Sequence, residues 1–427
     1  MEPFPARSSI RPAPGAGAEE GPCTVELGGG ALTIAPQAGP PLRIRFTEIE
    51  RWEVADYAVT LDLSGGARVV LSALGKRLEP FRRALPAARK EHLGEALLLE
   101  ERGPAGEESG EFRWAGGETE ACRVRLQKTS LIVFPRQTLP FLVGYGEVKE
   151  SSFDAQSFAV VLRLRDLRRL ELVRFGKRTE ALLAGLSERM DALASRALAA
   201  LGALAPDLSA LSLRELGALL PDGLPAARAE IERAAPGAWE AMFARAFAAG
   251  ARRDAASHLL GRAQSAFLAV KETHPPDAAD GEPPACEGEP PGEESDTGPA
   301  ASPGPRPGST LPDELAGRQI LYLFQVGSAL ALEVPSSTES ATYLFRSGVD
   351  PAGSARAIVR ALAAIQFRRE PISLPEEQLL GGRGARYALA LKLVPELRAA
   401  REAFLGRAVH AGAEAWRKAL DLAMSRC

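Results

Sequence analysis

The densest run of side chains able to do chemistry is FAVVLRLRDLRRLELVRFGKR, residues 158–178. Arg163, Arg165, Arg168, Arg169, Arg174, Lys177 and Arg178 stand against only Asp166 and Glu171. Arginines at this density suit an anion-binding face, because the guanidinium fork stays charged and pairs with carboxylate or phosphate oxygens. A local surplus of five charges, at about 1 kcal/mol per base near an anionic surface, supplies roughly 5 kcal/mol and a dissociation constant near or just below millimolar. That assists recruitment but does not hold a protein on a membrane alone. The competing reading is an ordinary solvated strand face. Arg123, Arg125 and Lys128 form a second, smaller basic group upstream.

Other chemistry is sparse. His92, His258, His274 and His410 lie far apart, and Cys23, Cys122, Cys286 and Cys427 show no CxxC spacing and no matching His pattern. Neither a zinc site nor a disulfide framework is expected, and no cofactor is implied. No G-x-S-x-G occurs. Gly75-Lys76 and Gly176-Lys177 lack the upstream glycine of a phosphate loop, with Val70 and Glu171 in its place. GGRGAR at 381–386 reads as a flexible loop. The sequence therefore points away from catalysis.

The elements that position these residues come in two copies. CTVELGGGALTIAPQAGPPLRIRFTEI (23–49) matches CRVRLQKTSLIVFPRQTLPFLVGYGEV (122–148) without a gap at an offset of 99, from Cys23/Cys122 and Val25/Val124 to Pro41/Pro140 and Glu48/Glu147. Further on, LGKRLE (74–79) meets FGKRTE (175–180) at an offset of 101. The two-residue slip is expected in a hairpin loop, where length changes cost least. Val25, Leu27, Leu32 and Ile34 alternate at the strand period, and TLDL-SGGA-RVVL reads as a hairpin. After Gly75 the period changes to that of a helix through Leu78, Phe81 and Leu85. The second copy continues this stripe through Leu182, Leu186, Met190 and Leu193. Pro86 is expected to keep the first helix short, since an interior proline costs about 3 kcal/mol.

The G-x-L-x-hydrophobic strand Gly30–Ile34, the corner Phe46-Thr47-Glu48-Ile49, the Gly65-Gly66 hairpin and the helix after Gly75 resemble the pleckstrin-homology-like group, including its GRAM and bacterial members. Leu131, Val133, Tyr145 to Val148 and Gly176 repeat the pattern. The resemblance covers about 175 residues and implies a seven-stranded, partly open barrel closed by a C-terminal helix in each copy. It implies non-catalytic binding of a protein, a peptide or an anionic lipid head group. In lipid-binding members the bases lie in the loop between the first two strands. The first copy has only Gly28-Gly29-Gly30 there, whereas the second offers Arg123, Arg125 and Lys128.

The expected organisation is α+β. It comprises a disordered N-terminus (1–21), one pleckstrin-homology-like unit at 22–100, a second at 111–203, a helical region at 205–272, a disordered acidic Pro/Gly linker at 273–311 and a strand–helix region at 312–427. Ser212-Leu-Arg-Glu215 reads as a capping box, and Ala255 to Lys271 as an amphipathic helical run. From Glu272 to Pro305 there is no Lys or Arg and almost no large apolar side chain, so that segment cannot offset its chain entropy by burial. In the last region Gln319–Val326, Ser328–Val334 and Ala341–Arg346 read as strands, Asp350–Phe367 as a helix and about 384–425 as a final helix. ALALEVP-SSTES-ATYLFRSG echoes the repeat hairpin and points to a partial third copy.

The formal net charge of -3 argues against nucleic acid as a partner. No apolar run approaches the roughly 18 residues needed to span a bilayer, and the opening residues hold no signal-peptide core. A cytoplasmic adaptor is expected, binding a protein partner through strand edges or the groove beside a closing helix. The alternative is peripheral attachment to an anionic membrane through the arginines of the second copy.

Overall fold

The computed structural model describes residues 3–11, 19–64, 66–97, 107–247, 250–273, 315, 317–335, 341–365, 367–380 and 385–426. The first copy holds seven antiparallel strands: β1 (Phe4–Arg11), β2 (Glu19–Gly28), β3 (Ala31–Pro36), β4 (Leu42–Arg45), β5 (Ile49–Ala55), β6 (Ala58–Leu63) and β7 (Arg68–Ser72). Helix α1 (Leu78–Leu97) follows. The second copy repeats them as β8 (Glu107–Trp114), β9 (Glu120–Leu126), β10 (Ser130–Pro135), β11 (Phe141–Gly144), β12 (Val148–Asp154), β13 (Ala159–Leu164), β14 (Arg169–Val173) and α2 (Thr179–Leu204). The strand orders are β4-β3-β2-β1-β7-β6-β5 and β11-β10-β9-β8-β14-β13-β12, the same path twice.

Neither sheet closes into a barrel. β4 and β5 stay at opposite edges, as do β11 and β12. The chain turns a corner at Phe46–Glu48 or Tyr145–Glu147 between these edge strands, and the two do not pair.

The two-residue slip falls in one turn. Ala55 pairs with Ala58 across a two-residue loop, while Asp154 pairs with Ala159 across four residues. Asp56 and Tyr57 both have positive φ (50° and 59°), the I′ geometry that matches strand twist in the shortest hairpins. In the longer loop the Asp154 carboxylate accepts from Gln156 N (3.0 Å) and Ser157 Oγ (2.7 Å), a side-chain-built turn.

Three local expectations fail. The N-terminal 21 residues are not without structure: β1 lies between β2 and β7, with Phe4, Ala6 and Ser8 buried and Phe4 edge-on to Phe81 at 5.1 Å. Its alternation is carried by small residues and a proline, so only the non-local pairing reveals it. β8 plays the same part in the second copy. Helix α1 is not short either, and runs on through Pro86. Burial of Phe81, Leu85 and Leu93, at about 2 kcal/mol each, outweighs the proline penalty of about 3 kcal/mol. Finally, Ser209 rather than Ser212 caps helix α3 (Ala210–Leu219), its Oγ accepting from Ser212 N at 3.1 Å.

The rest of the chain builds one further sheet, β15 (Ala226–Ala227), β16 (Ser265–Glu272), β17 (Arg318–Val326), β18 (Ala329–Glu333), β19 (Ala341–Arg346) and β20 (Phe404–Val409), paired in that order. Between β15 and β16 lie α4 (Arg228–Ala234), α5 (Ala238–Ala246) and α6 (Ala251–Arg262). Between β19 and β20 lie α7 (Pro351–Ala364), α8 (Glu370–Ser373), α9 (Glu376–Leu380), α10 (Ala385–Leu393) and α11 (Pro395–Ala403). α12 (Ala413–Met424) ends the fold.

This corrects the reading of 205–272 as helical. The helix expected to reach Lys271 stops at Arg262, and Ser265–Glu272 becomes a strand paired along its whole length with β17. An apolar run buried on both faces has no period by which to tell strand from helix. Its partner also lies beyond 274–314. The expected acidic linker falls, apart from Thr273, outside the described residues.

The final helix is likewise broken, by Pro395 and by strand β20 with Gly406 at φ 154°. The expected strands after 318 and helix α7 are present. The third sheet does not repeat the full strand order of the first two.

Helices cover both faces of the third sheet. Leu268, Ile320, Tyr322, Phe324 and Leu344 pack with Trp239, Phe243 and Leu420. On the other face Phe267, Leu321, Leu323, Tyr343 and Phe345 pack with Ile358, Leu362, Leu389 and Leu397. That core runs on into the first copy through the contact of α1 with α10.

Candidate functional site

A concavity of about 960 Å³ lies between the two copies. The first copy supplies the outward side of α1 and the β2–β3 turn, and the second supplies β9 and β10. Gly29 and Gly30 take positive φ (56° and 75°), and a Cβ on Gly30 would stand 2.7 Å from the His92 ring. Glycine there lets the helix close onto the turn. The His92 ring in turn sits edge-on to Phe46 at 6.1 Å.

Leu27, Phe46, Pro86, Phe134 and Pro135 give the cleft its apolar surface, and Arg82, Arg83, Lys90, Arg123 and Arg136 its bases. Lys90 ties the walls together, its Nζ donating to the Pro135 carbonyl (3.2 Å) and the Arg136 carbonyl (2.6 Å). Burial lowers the pKa of that ammonium, with Glu120 pulling the other way. The Arg123 and Arg125 guanidiniums lie over the Phe134 ring at 5.5 and 5.2 Å, and both donate to Glu107. Partial burial opposes ionisation of Glu107, but Arg125 and Arg123 outweigh it and hold the carboxyl below its ordinary range.

Cys122 also lines this cleft. Burial, reinforced by Glu120 and Glu111, pushes its thiol up to about 12, which keeps it in the neutral form that packs as a small apolar side chain.

The structure disperses the predicted basic residues. Only Arg123 lines the cleft, with Arg125 beside it. Lys128 pairs instead with Glu272 of β16 (2.8 Å). The arginine-rich hairpin finds carboxylates that its own segment does not contain. Arg174 pairs with Glu111 (2.8 Å), Arg178 with Glu108 (2.7 Å) and Arg163 with Glu150 (3.4 Å). Arg168 pairs with Asp166 (2.8 Å) and Arg169 with Glu171 (2.9 Å), while Arg165 Nε donates to the Gly146 carbonyl (3.1 Å). Arg165 and Lys177 have no counter-ion among the described residues. Such exposed pairs stabilise little, but they cancel most of the field. Five carboxylates face the segment's seven bases, two of them shared with Arg113 and Arg360, so the surface attraction falls below the roughly 5 kcal/mol of the isolated run.

Two further polar clusters escaped sequence reading. Where the second copy meets the third sheet, Glu272 receives Arg196 (2.8 Å), Lys128 and Arg318 (3.2 Å), and Asp222 pairs with Lys271. Burial opposes ionisation of Glu272, yet the surrounding bases hold its carboxyl below its ordinary range. Inside the third unit, the Thr342 hydroxyl donates to Glu333 and accepts from Trp416 Nε1 (2.8 Å), with His410 Nε2 3.2 Å from Glu333. The Glu333, Thr342 and His410 side chains are all sealed from solvent, which makes this a packing device. The residues of each cluster are scattered along the sequence, so no local motif announces them.

Among the described residues no three His, Cys, Asp or Glu side chains converge as metal ligands, and no helix is long and apolar enough to cross a membrane. A search of protein-family models finds no match to this chain, and no curated protein matches it.

Proposed function

We propose that this chain is a non-catalytic adaptor whose two pleckstrin-homology-like units bind a protein partner in the cleft between them. The observation that carries the reading is the cleft itself. It is of the size that specific ligands occupy, it joins apolar floor to polar rim, and it lies beside the closing helix of the first unit. The strand order 4-3-2-1-7-6-5 followed by a helix, present twice, supports the pleckstrin-homology-like assignment. Filling the cleft by Ala87→Trp, at an exposed position on α1, is expected to abolish capture of the partner without lowering the melting temperature. Capture unchanged by Ala87→Trp would refute the reading.

Peripheral binding to anionic lipid is the second reading. One feature favours it. Phe158, 71% exposed, stacks edge-on with Phe153 at the β12–β13 turn, and Ala159 next to it pairs with Val173, so Arg174 and Lys177 follow at the same end of the sheet. Against it, the sequences that join the first two strands of each unit, 12–18 and 115–119, contain no Lys or Arg. Sedimentation with liposomes of acidic lipid separates the readings, and absence of binding at low salt removes this one.

A further inference from the structure

The cleft has more positive charge than its own carboxylates neutralise, and the pattern of sharing is specific. Arg82 and Arg83 both turn to a single carboxylate, Glu79, at 3.4 and 3.3 Å, and all three side chains are exposed. Arg123 and Arg125 likewise share Glu107, with Glu91 4.0 Å from Arg123. The Lys90 ammonium is held by two backbone carbonyls, with Glu120 the carboxylate that acts on it. The Arg136 side chain has no partner among the described residues. Pro86 brings no N–H to α1, so the Arg82 carbonyl lacks its helical donor. Beside these groups lie the half-buried side chains of Leu27 and Pro86, with Phe46 and Phe134 buried beneath.

Resting on the reading of this cleft as the partner site, we infer that the bound segment is an acidic peptide of a second protein, with carboxylates flanking an aromatic or aliphatic side chain. Carboxylates meet the half-neutralised guanidiniums of Arg82, Arg83 and Arg136, and forked pairing favours arginine over lysine in that role. The apolar side chain meets Leu27 and Pro86. A small inorganic anion would use the bases and leave that apolar surface empty.

The test uses the full chain and rhodamine-labelled peptides EEFEE and QQFQQ, followed by fluorescence anisotropy at low and high salt. EEFEE is expected to bind at least about tenfold more tightly than QQFQQ, with the difference shrinking as salt rises. The double variant Arg83→Glu/Arg136→Glu, at two exposed positions, should lose about tenfold for EEFEE at an unchanged melting temperature. Equal binding of QQFQQ overturns the acidic preference and leaves the cleft as partner site. No binding of EEFEE overturns the inference, while the Ala87→Trp capture experiment still decides the underlying reading. If EEFEE binds only after removal of residues 277–298, the occupant is the chain's own acidic segment, and the assignment to a second protein fails.

Discussion

The two copies share a backbone and differ in what each meets. Both carry a bulge at the start of the strand after the corner, at Ile49/Arg51 and Val148/Glu150. Both take positive φ at matched positions: Tyr57 and Phe158, Gly66 and Leu167, Ala73 and Arg174, Gly75 and Gly176. Backbone conformation has thus been kept where the side chain has changed completely. The differences gather at the corner. In the first copy the Thr47 carbonyl accepts from Lys392 Nζ of α10 at 2.9 Å. In the second, Gly146 stands at the same place and lies directly against the backbone of Asp222, while Glu147 takes Arg360 of α7 at 2.6 Å. Equivalent corners hold the third unit from two sides, one through a long flexible side chain and the other backbone to backbone. Duplicated units diverge first where their neighbours differ.

The sharpest way to break this comparison is to give the second corner the residue of the first. A Cβ on Gly146 would run into the Asp222 carbonyl, so Gly146→Thr is expected to cost about 3 kcal/mol or more. Thr47→Gly should cost only about 1 kcal/mol, through added freedom of the unfolded chain. Urea midpoints of the two variants measure the asymmetry, and equal losses would disprove it.

Glu272→Gln attacks the same junction through charge. It leaves the buried Arg318 without its anion, with an expected loss of about 3 kcal/mol at neutral pH. Because the folded carboxyl titrates below its ordinary range, its contribution is present above about pH 4.3 and is lost as pH falls through the lower folded value. The variant should therefore lose less stability than the parent over that acid window. Melting curves from pH 6 downward, about two units to either side of the carboxylate range, decide the point.

The closing helices give two effects of opposite sign to one another. Pro86→Ala in α1 should stabilise by about 2 kcal/mol by restoring a helical hydrogen bond, whereas Ser187→Pro at the matching position of α2 should destabilise by about 3 kcal/mol. Denaturant titration of both reads the exchange. Smallest is the β13–β14 turn, where Leu167 is 92% exposed at φ 71° and the first copy has Gly66. Leu167→Gly is expected to raise stability by about 1 kcal/mol, since it relieves left-handed strain and gives up no packing. A lowered melting temperature would show that the leucine has a contact worth more than its strain.

Much of the repeat was legible because it is written locally. The offset of 99, the alternation of Val25, Leu27, Leu32 and Ile34, and the helical stripe after Gly176 each sit within a few residues of one another. The hairpin turn that absorbs the slip follows from the same matches. The cleft was legible only in fragments: Arg123 and Arg125 stood out, whereas Lys90, Arg82 and Arg136 lie on other elements and carry no local signature. The arginine-rich hairpin shows the converse. Its charge surplus was real along the segment and mostly vanished in space, because β8 brings Glu108 and Glu111 alongside.

The sequence by itself determined that one β-rich unit occurs twice, where its inward faces lie, and that its hairpins tolerate a change in length. Period and spacing encode these, and both are properties of neighbouring residues. Only the tertiary structure decided that β1 belongs to the first sheet and that Ser265–Glu272 is a strand. The tertiary structure also showed which bases are neutralised and where a cleft opens. Each of these depends on residues tens to hundreds of positions apart, and their pairing energies exist only once the chain has brought them together.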